Sequence, residues 1–312
     1  MKRDLITLLD YSSAEVLSLI DSADKLKKEN GSTGSPRGGT VRGDLKGKSV
    51  ALVFQKPSNR TRVSFEVGVH ELGGYCLYLG PDEINLGKRE STHDVAKTLS
   101  RYVHCIVARV FDNKDIVQLA QYADVPVINA LCDLYHPCQA LADIQTIREK
   151  FGKFQSLTLA YVGDGNNVFH SLMVACAKVG INVRFAGPKG YDPNPAILKQ
   201  TQGVARTNGC TIECSRDPQW AVKGAHVIYA DVWVSMGQEK ETAKRIKQFK
   251  GYQINTDLVK QAQKDYIFMH CLPAHRGLEV TADVIDGKHS VIFNQAENRL
   301  HVQKAVLLYL LS

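Results

Sequence analysis

The chain has 312 residues and a mass of 34.5 kDa, with 44% hydrophobic and 23% charged residues. This composition excludes a disordered chain, the length is typical of two domains, and no apolar stretch approaches a membrane span. The net charge of +7 favours a solvated basic surface over a nucleic-acid partner, which usually needs clustered charge. Acidic residues Asp4 and Asp10 interrupt the first apolar run, so we expect neither a secretory signal nor a membrane partner.

The cysteines and histidines predict no metal or disulfide framework. The eight cysteines lie at positions 76, 105, 132, 138, 176, 210, 214 and 271, and no C-x-x-C motif occurs. No close spacing typical of zinc ligands is present. Most thiols lie in apolar surroundings, which predicts a reduced chain located in the cytoplasm.

Apolar runs alternate with segments of helical periodicity along the chain. Strands are predicted at 49–54, 75–79, 104–110, 126–128, 157–162, 182–186, 211–214, 226–231 and 267–270. Helices are predicted at 11–28, 58–72, 94–102, 113–122, 136–151, 167–179, 193–208 and 298–311. This alternation predicts an α/β fold of two domains, each a parallel sheet flanked by helices, joined by long helices. Ligands of such sheets bind beyond the carboxyl ends of the strands, so functional residues should directly follow strands.

Two glycine-containing segments resemble nucleotide-binding loops but lack required residues. Gly163-Asp164-Gly165 follows a strand and opens a helix, yet Val168 holds the third glycine position. Gly47-Lys48-Ser49 resembles the end of a P-loop, yet Arg42 holds the required glycine position and a strand follows. A P-loop enzyme is therefore excluded, and a dinucleotide dehydrogenase is a disfavoured alternative.

The segment Ser58-Asn59-Arg60-Thr61-Arg62 follows the first predicted strand and opens a helix. A helix N-terminus offers free backbone N–H groups and a partial positive charge. The hydroxyl groups of Ser58 and Thr61 and the guanidinium fork of Arg60 would complete a phosphate site. From these residues alone, a capped surface helix with arginines paired to carboxylates is an equal alternative.

Four segments spread over nearly the whole chain resemble, in the same order, the aspartate/ornithine carbamoyltransferase family. Lys56-Pro57-Ser58-Asn59-Arg60-Thr61-Arg62 resembles its carbamoyl-phosphate loop, whose pattern is S-x-R-T-R. The other segments are Ala108-Arg109-Val110, His136-Pro137-Cys138-Gln139 and Glu297-Asn298-Arg299. The resemblance implies a carbamoyl-phosphate-binding domain at 1–136, an ornithine-binding domain at 137–297, and a C-terminal helix, 298–312, that packs back on the first.

Carbamoyl transfer requires an amine to attack a carbamoyl carbon and phosphate to leave. Arg109, His136 and Thr61 can direct donors at the carbonyl oxygen, where charge develops, and Arg62 resembles a structural ion-pair partner. The resemblance implies a catalytic set of Arg60, Arg109, His136 and Cys271. It implies carbamoyl-phosphate contacts from Ser58, Asn59, Arg60, Thr61, Asn85, Arg109, His136, Gln139, Cys271, Leu272 and Arg299.

The second half of the chain carries the residues that would select the acceptor. Asp231-Val232-Trp233-Val234-Ser235-Met236-Gly237 resembles the D-x-x-x-S-M-G loop of the ornithine branch of the family. Asp164-Gly165-Asn166-Asn167 and His270-Cys271-Leu272-Pro273 resemble two further segments of that branch. The resemblance implies that L-ornithine is bound by Asn167, Asp231, Ser235 and Met236. An acidic acceptor would instead need basic residues.

The loop that contains Asn85 reaches a neighbouring subunit's phosphate site in the family, which implies a homotrimer or a multiple of trimers. Because carbamoyl phosphate is already activated, no metal or organic cofactor is implied. Two alternatives remain besides the dehydrogenase. One is a carbamoyltransferase for another amine, such as putrescine or an acylated ornithine, and the other is a catalytically silent binding subunit.

Overall fold

The computed structural model describes residues 2–29, 42–87, 89–234 and 239–312. The chain divides into two compact units, of which the first comprises Met1–Gln145 and Glu297–Ser312 and the second comprises Thr146–Ala296. Both boundaries lie inside long helices. The first unit thus extends past position 136 to Gln145, whose Nε2 donates to Asp24 Oδ1 of the same unit at 3.0 Å.

The first unit contains a four-stranded parallel sheet in the order β2-β1-β3-β4. The strands are β1 (Ser49–Phe54), β2 (Tyr75–Leu79), β3 (Cys105–Arg109) and β4 (Val127–Leu131). The helices are α1 (Ser13–Glu29), α2 (Asn59–Glu71), α3 (Pro81–Ile84), α4 (Thr92–Leu99), α5 (Asn113–Tyr122) and α6 (Pro137–Phe151), which continues into the second unit. Strands β1 and β3 are buried almost throughout, which explains why they read as continuous apolar runs.

The second unit contains a five-stranded parallel sheet in the order β7-β6-β5-β8-β9. The strands are β5 (Thr158–Val162), β6 (Asn182–Ala186), β7 (Ile212–Ser215), β8 (Val227–Ala230) and β9 (Ile267–His270). The helices are α7 (Asn167–Val179), α8 (Pro195–Thr207), α9 (Pro218–Val222), α10 (Thr242–Gln248), α11 (Thr256–Val259), α12 (Ala282–Ile285) and α13 (Ile292–Leu311), which continues into the first unit. The predicted α/β class and the parallel sheets flanked by helices are therefore confirmed.

Each sheet has a point where the strand order reverses, and such points form ligand-binding crevices. In the first unit the chain runs from β1 outward to β2 and then returns to β3 on the other side of β1. In the second unit the reversal lies between β5 and β8. The register pairs Phe54 with Arg109 and Ala230 with His270, so the residues that follow these strands emerge side by side.

Helices α2 and α13 approach each other closely within the first unit. A Cβ at Gly68 would lie 3.2 Å from Lys304 Cγ, so glycine permits the approach. Lys304 Nζ donates to Glu71 Oε2 at 2.5 Å, and the two side chains are only 1% and 10% exposed. This buried ion pair joins α2, which begins at the predicted phosphate loop (Ser58–Arg62), to α13, which carries Arg299. Within the described residues, no helix is long and apolar enough to span a bilayer.

Candidate active site

The phosphate loop forms the capped N-terminus of α2. Ser58 has extended backbone angles, and its Oγ accepts from the backbone N–H of Thr61 at 3.3 Å. Asn59 is exposed, Arg60 is partly buried and Thr61 is only 2% exposed. Because the first turn leaves backbone N–H groups without helical partners, this end of α2 can donate hydrogen bonds to a phosphate oxygen.

Arg299 on α13 joins the phosphate loop to α6. Its Nη2 donates to Thr61 Oγ1 at 3.1 Å, and its Nη1 donates to Gln139 Oε1 at 2.8 Å. Gln139 Nε2 in turn donates to Asp143 Oδ1 at 2.8 Å, so both ends of this amide are engaged. A carbonyl oxygen has two lone pairs, so Gln139 Oε1 can accept one further hydrogen bond. The structure therefore brings Thr61, Gln139 and Arg299 together as the motifs predict.

Arg109 and His136 lie at the carboxyl ends of the neighbouring strands β3 and β4. Arg109 ends β3 and is 8% exposed, and His136 precedes α6 and is 5% exposed. Burial is the largest cause that lowers the pKa of His136 well below its usual value, followed by the charges of Arg299 and Arg109. Arg60 and Lys56 lower it further. At neutral pH the imidazole is therefore uncharged, and it can still donate one hydrogen bond.

Lys56 is a further cation near His136, besides Arg60, Arg109 and Arg299, and the sequence analysis assigned it no role. It directly precedes Pro57 and is 8% exposed, and its ammonium lies 5.0 Å from the centre of the Phe111 ring. Burial, and then the charge of Arg109, lowers the pKa of Lys56 to about 8. Its position at the start of the segment that resembles the carbamoyl-phosphate loop could have indicated a role in the site. Its burial could not be predicted, because a lysine in a polar segment is usually exposed.

In the second unit, Asp231 lies directly after β8 and is 5% exposed. Asn166 Nδ2 donates to Asp231 Oδ2 at 2.7 Å, and Cys271 Sγ donates to Asp231 Oδ1 at 3.1 Å. The backbone N–H of Val232 also donates to Oδ1, at 2.8 Å. The structure thus brings Asp231 and Cys271 together and adds Asn166, which the sequence placed in a motif without assigning it a contact.

The turn between β5 and α7 positions the two asparagines. Asn166 caps α7, and its Oδ1 accepts from the backbone N–H groups of Val168 and Phe169. Asn167 is the first residue of α7 and is partly buried. A Cβ on Gly165 would collide with the backbone at Asp192 and Pro193, so this position requires glycine. Gly165 therefore serves close packing, where the sequence suggested an incomplete dinucleotide loop.

Three potential metal ligands, Asp231, His270 and Cys271, lie with donor atoms within 4.8 Å of one another. The spacing in sequence did not indicate this group, because position 231 is far from 270 and 271. In this structure Cys271 Sγ donates to Asp231 Oδ1, and His270 Nδ1 accepts from the backbone N–H of Leu272 at 2.9 Å. Leu272 has a φ of 58°, which is uncommon outside glycine and turns its backbone sharply after β9.

Comparison with known proteins identifies the family. A model described as the carbamoyl-P binding domain of aspartate/ornithine carbamoyltransferase matches residues 3–149, and a model described as the Asp/Orn binding domain matches residues 155–310. The chain belongs to the aspartate/ornithine carbamoyltransferase family.

Individual members of the family are similar over almost their whole length. The ornithine carbamoyltransferase of Thermococcus kodakarensis is 54% identical over 305 residues, which are 98% of this chain and 95% of that protein. The structure of ornithine carbamoyltransferase from Pyrococcus furiosus has a TM-score of 0.93 at 52% identity, covering 98% of this chain and 96% of the other. That of Thermus thermophilus has a TM-score of 0.88 at 44% identity and covers 100% of both chains.

The other residues that the motifs single out either lie at the surface or fall outside the residues that the structure describes. Asn85 is exposed and ends α3 in the left-handed conformation, with a φ of 51°. Arg62 is exposed, and its Nε donates to Glu66 Oε1 at 3.0 Å, an ion pair within α2. Ser235 and Met236 lie outside the described residues.

Proposed function

We propose that the protein transfers the carbamoyl group of carbamoyl phosphate to the δ-amine of L-ornithine, forming L-citrulline and phosphate. The observation that carries this proposal is the buried carboxylate of Asp231 at the strand-order reversal of the second sheet. A buried negative charge suits the α-ammonium of a cationic amino acid, whereas aspartate would need basic partners. The names of the similar relatives support the same acceptor.

We assign carbamoyl phosphate to the first unit. Ser58, Asn59, Arg60 and the free N–H groups of α2 bind the phosphate oxygens, with Arg299 and Lys56 as further cations. The carbamoyl group lies against Thr61, Arg109, His136 and Gln139. An uncharged His136 serves this site well, because it donates a hydrogen bond to the carbonyl oxygen without adding a positive charge that would have to be desolvated.

We assign ornithine to the second unit. Asp231 and Ser235 bind the α-ammonium, and Asn167 with the backbone of Met236 binds the carboxylate. Cys271 and the carbonyl of Leu272 face the δ-amine and the carbamoyl group. The thiol of Cys271 already donates to Asp231, so this side chain also orients the carboxylate that it contacts.

The reaction needs donors rather than a redox or metal group. The uncharged δ-amine attacks the carbamoyl carbon, the C–N bond forms and negative charge moves onto the carbonyl oxygen. Arg109, His136 and Thr61 stabilise that charge. The C–O bond to phosphate then breaks, and a proton passes from the amine nitrogen to the departing phosphate. Arg60 and Arg299 stabilise this leaving group.

We propose a homotrimeric assembly, in which Asn85 completes a neighbouring phosphate site. Strand β2 is an edge strand, and the adjoining surface exposes Val63 and Tyr75, with exposed fractions of 50% and 68%. A cleft of about 450 Å³ opens beside Ser58 and Asn59. An exposed apolar edge next to an open cleft favours contact with a second copy.

We also propose that the enzyme works in the cytoplasm and in arginine biosynthesis. All eight cysteines are free thiols, which favours a reducing compartment. One relative is named as an anabolic ornithine carbamoyltransferase, which supports the biosynthetic direction. No metal or organic cofactor enters the reaction as written.

An acceptor comparison tests this function. Carbamoyl phosphate is supplied with L-ornithine, putrescine, N-acetylornithine or L-aspartate, and each carbamoylated product is measured; we expect citrulline as the main product. Asp231→Asn should raise the KM for ornithine about 10- to 100-fold, because a charge-assisted contact is lost. Asp257→Asn is the matched control, since Asp257 forms an exposed pair with Lys260. A main product from putrescine or N-acetylornithine would contradict the proposed acceptor.

A further inference from the structure

Arg245 is a buried arginine next to the amino-acid half of the site, and none of the motifs includes it. It lies on α10, and its side chain is 7% exposed. Its Nη1 donates to Asp164 Oδ2 at 2.6 Å and to the backbone carbonyl of Trp233 at 2.9 Å. Its Nε donates to Glu241 Oε2 at 2.9 Å, and its guanidinium lies 4.8 Å from the ring centre of Tyr191.

These contacts tie together two segments that carry proposed ornithine ligands. Asp164 lies in the turn after β5, and the backbone N–H of Asn166 donates to the Asp164 carbonyl at 2.8 Å. Trp233 lies two residues after Asp231. Asn166 Nδ2 also donates to Asp231 at 2.7 Å. The contacts therefore form a closed ring, which runs from Arg245 to Asp164 and Asn166, then to Asp231, and back through Trp233 to Arg245.

Arg245 also determines the charge of this region. Asp164 and Asp231 are both buried, and the charge of Asp231 contributes to raising the pKa of Asp164, although burial is the main cause. The hydrogen bond and charge of Arg245 act in the opposite direction. Arg245 is shared between Asp164 and the half-exposed Glu241, and within the buried part of the site its charge offsets that of Asp164. Asp231 is then the buried carboxylate that an α-ammonium meets.

We infer that Arg245 is a positioning residue for the amino-acid substrate, which fixes Asp231 against the turn of Asn166 and Asn167 and compensates the charge of Asp164. The inference rests on the proposed function, because it assigns ornithine to these residues. It predicts that loss of Arg245 weakens binding of the amino acid and leaves binding of carbamoyl phosphate intact.

The test compares Arg245→Gln with the double variant Asp164→Asn/Arg245→Gln. Arg245→Gln should raise the KM for ornithine about tenfold or more, since three hydrogen bonds and a charge are lost, while the KM for carbamoyl phosphate changes less than about twofold. Inhibition by L-norvaline, which lacks the δ-amine, should weaken by the same factor. The double variant removes both buried charges, so its KM for ornithine should be at least about threefold lower than that of Arg245→Gln.

Arg184→Gln is the matched control. Arg184 also donates to a backbone carbonyl, that of Lys223, and lies over an aromatic ring, that of Trp220, and these contacts involve neither the turn of Asn166 and Asn167 nor Asp231. It should leave the KM for ornithine unchanged. If Arg245→Gln does not fold, the double variant alone still decides, because its ornithine KM must exceed that of the wild type.

Three results would overturn the inference. The first is an equal rise of both KM values in Arg245→Gln, and the second is a fall in its kcat with an unchanged KM for ornithine. The third is a double variant whose KM for ornithine is no lower than that of Arg245→Gln or equals that of the wild type. The proposed function fails separately: in that case the wild type forms no citrulline. If the wild type forms citrulline and the variants behave otherwise than stated, only the role of Arg245 is wrong.

Discussion

Lys56 should make anion binding in the first unit pH-dependent. The other cations around His136 are arginines, which stay charged at every accessible pH, and His136 stays neutral. Lys56 has a pKa of about 8, lowered by burial first and by Arg109 second. A bound dianion favours the charged amine, so binding at pH values above 8 should take up a proton, and affinity should fall as pH rises.

The size of the effect follows from the fraction of protein with a charged Lys56. With a pKa of about 8, this fraction is about nine-tenths at pH 7 and about one-tenth at pH 9. If the dianion binds only the charged form, the apparent dissociation constant rises about tenfold between these pH values. Sulfate is the suitable probe, because it remains a dianion over this range and needs no ornithine.

Titration calorimetry with sulfate at pH 7, 8 and 9 measures this dependence directly. Lys56→Arg keeps its charge throughout, so its affinity should stay nearly constant with pH. Lys56→Met should bind more weakly than the wild type at pH 7 and should show no fall above pH 8. A variant Lys56→Met that still loses affinity about tenfold between pH 7 and 9 would refute the assignment of the titration to Lys56.

Three further predictions concern contacts seen in the structure. Lys304→Met should destabilise the protein by about 3–5 kcal/mol in urea unfolding, because it removes the ammonium that compensates the buried Glu71 carboxylate, and adding Glu71→Leu should restore most of that loss. A cost below about 1 kcal/mol for the single variant would contradict a buried charge. Gly165→Ala should cost about 1–3 kcal/mol by thermal denaturation and raise the KM for ornithine, since the new Cβ displaces the turn from Pro193; an unchanged KM would mean that the turn does not position Asn167. Arg299→Lys should lower kcat/KM for carbamoyl phosphate about 100-fold in steady-state kinetics, because the compact lysine ammonium lacks the planar fork whose two nitrogens reach Thr61 and Gln139 separately; a change within about threefold would refute this role.

The long elements could be predicted because each carries a repeated signal. Strand β1 and helix α7 have the predicted bounds, since an apolar run and a helical periodicity extend over the whole element. The short helices α9 to α12 were missed, because four to seven residues contain too little of a helical repeat. Helix α13 starts at Ile292 rather than 298, since polar residues 294, 295, 297 and 298 interrupt the apolar pattern of its first turns.

The site was predictable where local motifs resemble a family and not where contacts are long-range. Ser58 and Thr61 belong to one motif, and the bond from Ser58 Oγ to Thr61 is local. The bond from Arg245 to Asp164 spans 81 positions, and that from Asn166 to Asp231 spans 65. No propensity or spacing rule connects such residues, because the folded sheet alone brings them together.

The dependence of the first unit on α13 also has a consequence for the order of synthesis. Arg299 meets Thr61 across 238 positions of sequence, and Lys304 meets Glu71 across 233. A ribosome therefore completes the whole second unit before Arg299 and Lys304 exist. While the chain is nascent, the first sheet can form, but the predicted anion site lacks Arg299, and Glu71 on α2 lacks its contact with Lys304. Competence to bind carbamoyl phosphate should thus arise only late in translation, after the residues that we propose for ornithine binding have already been made.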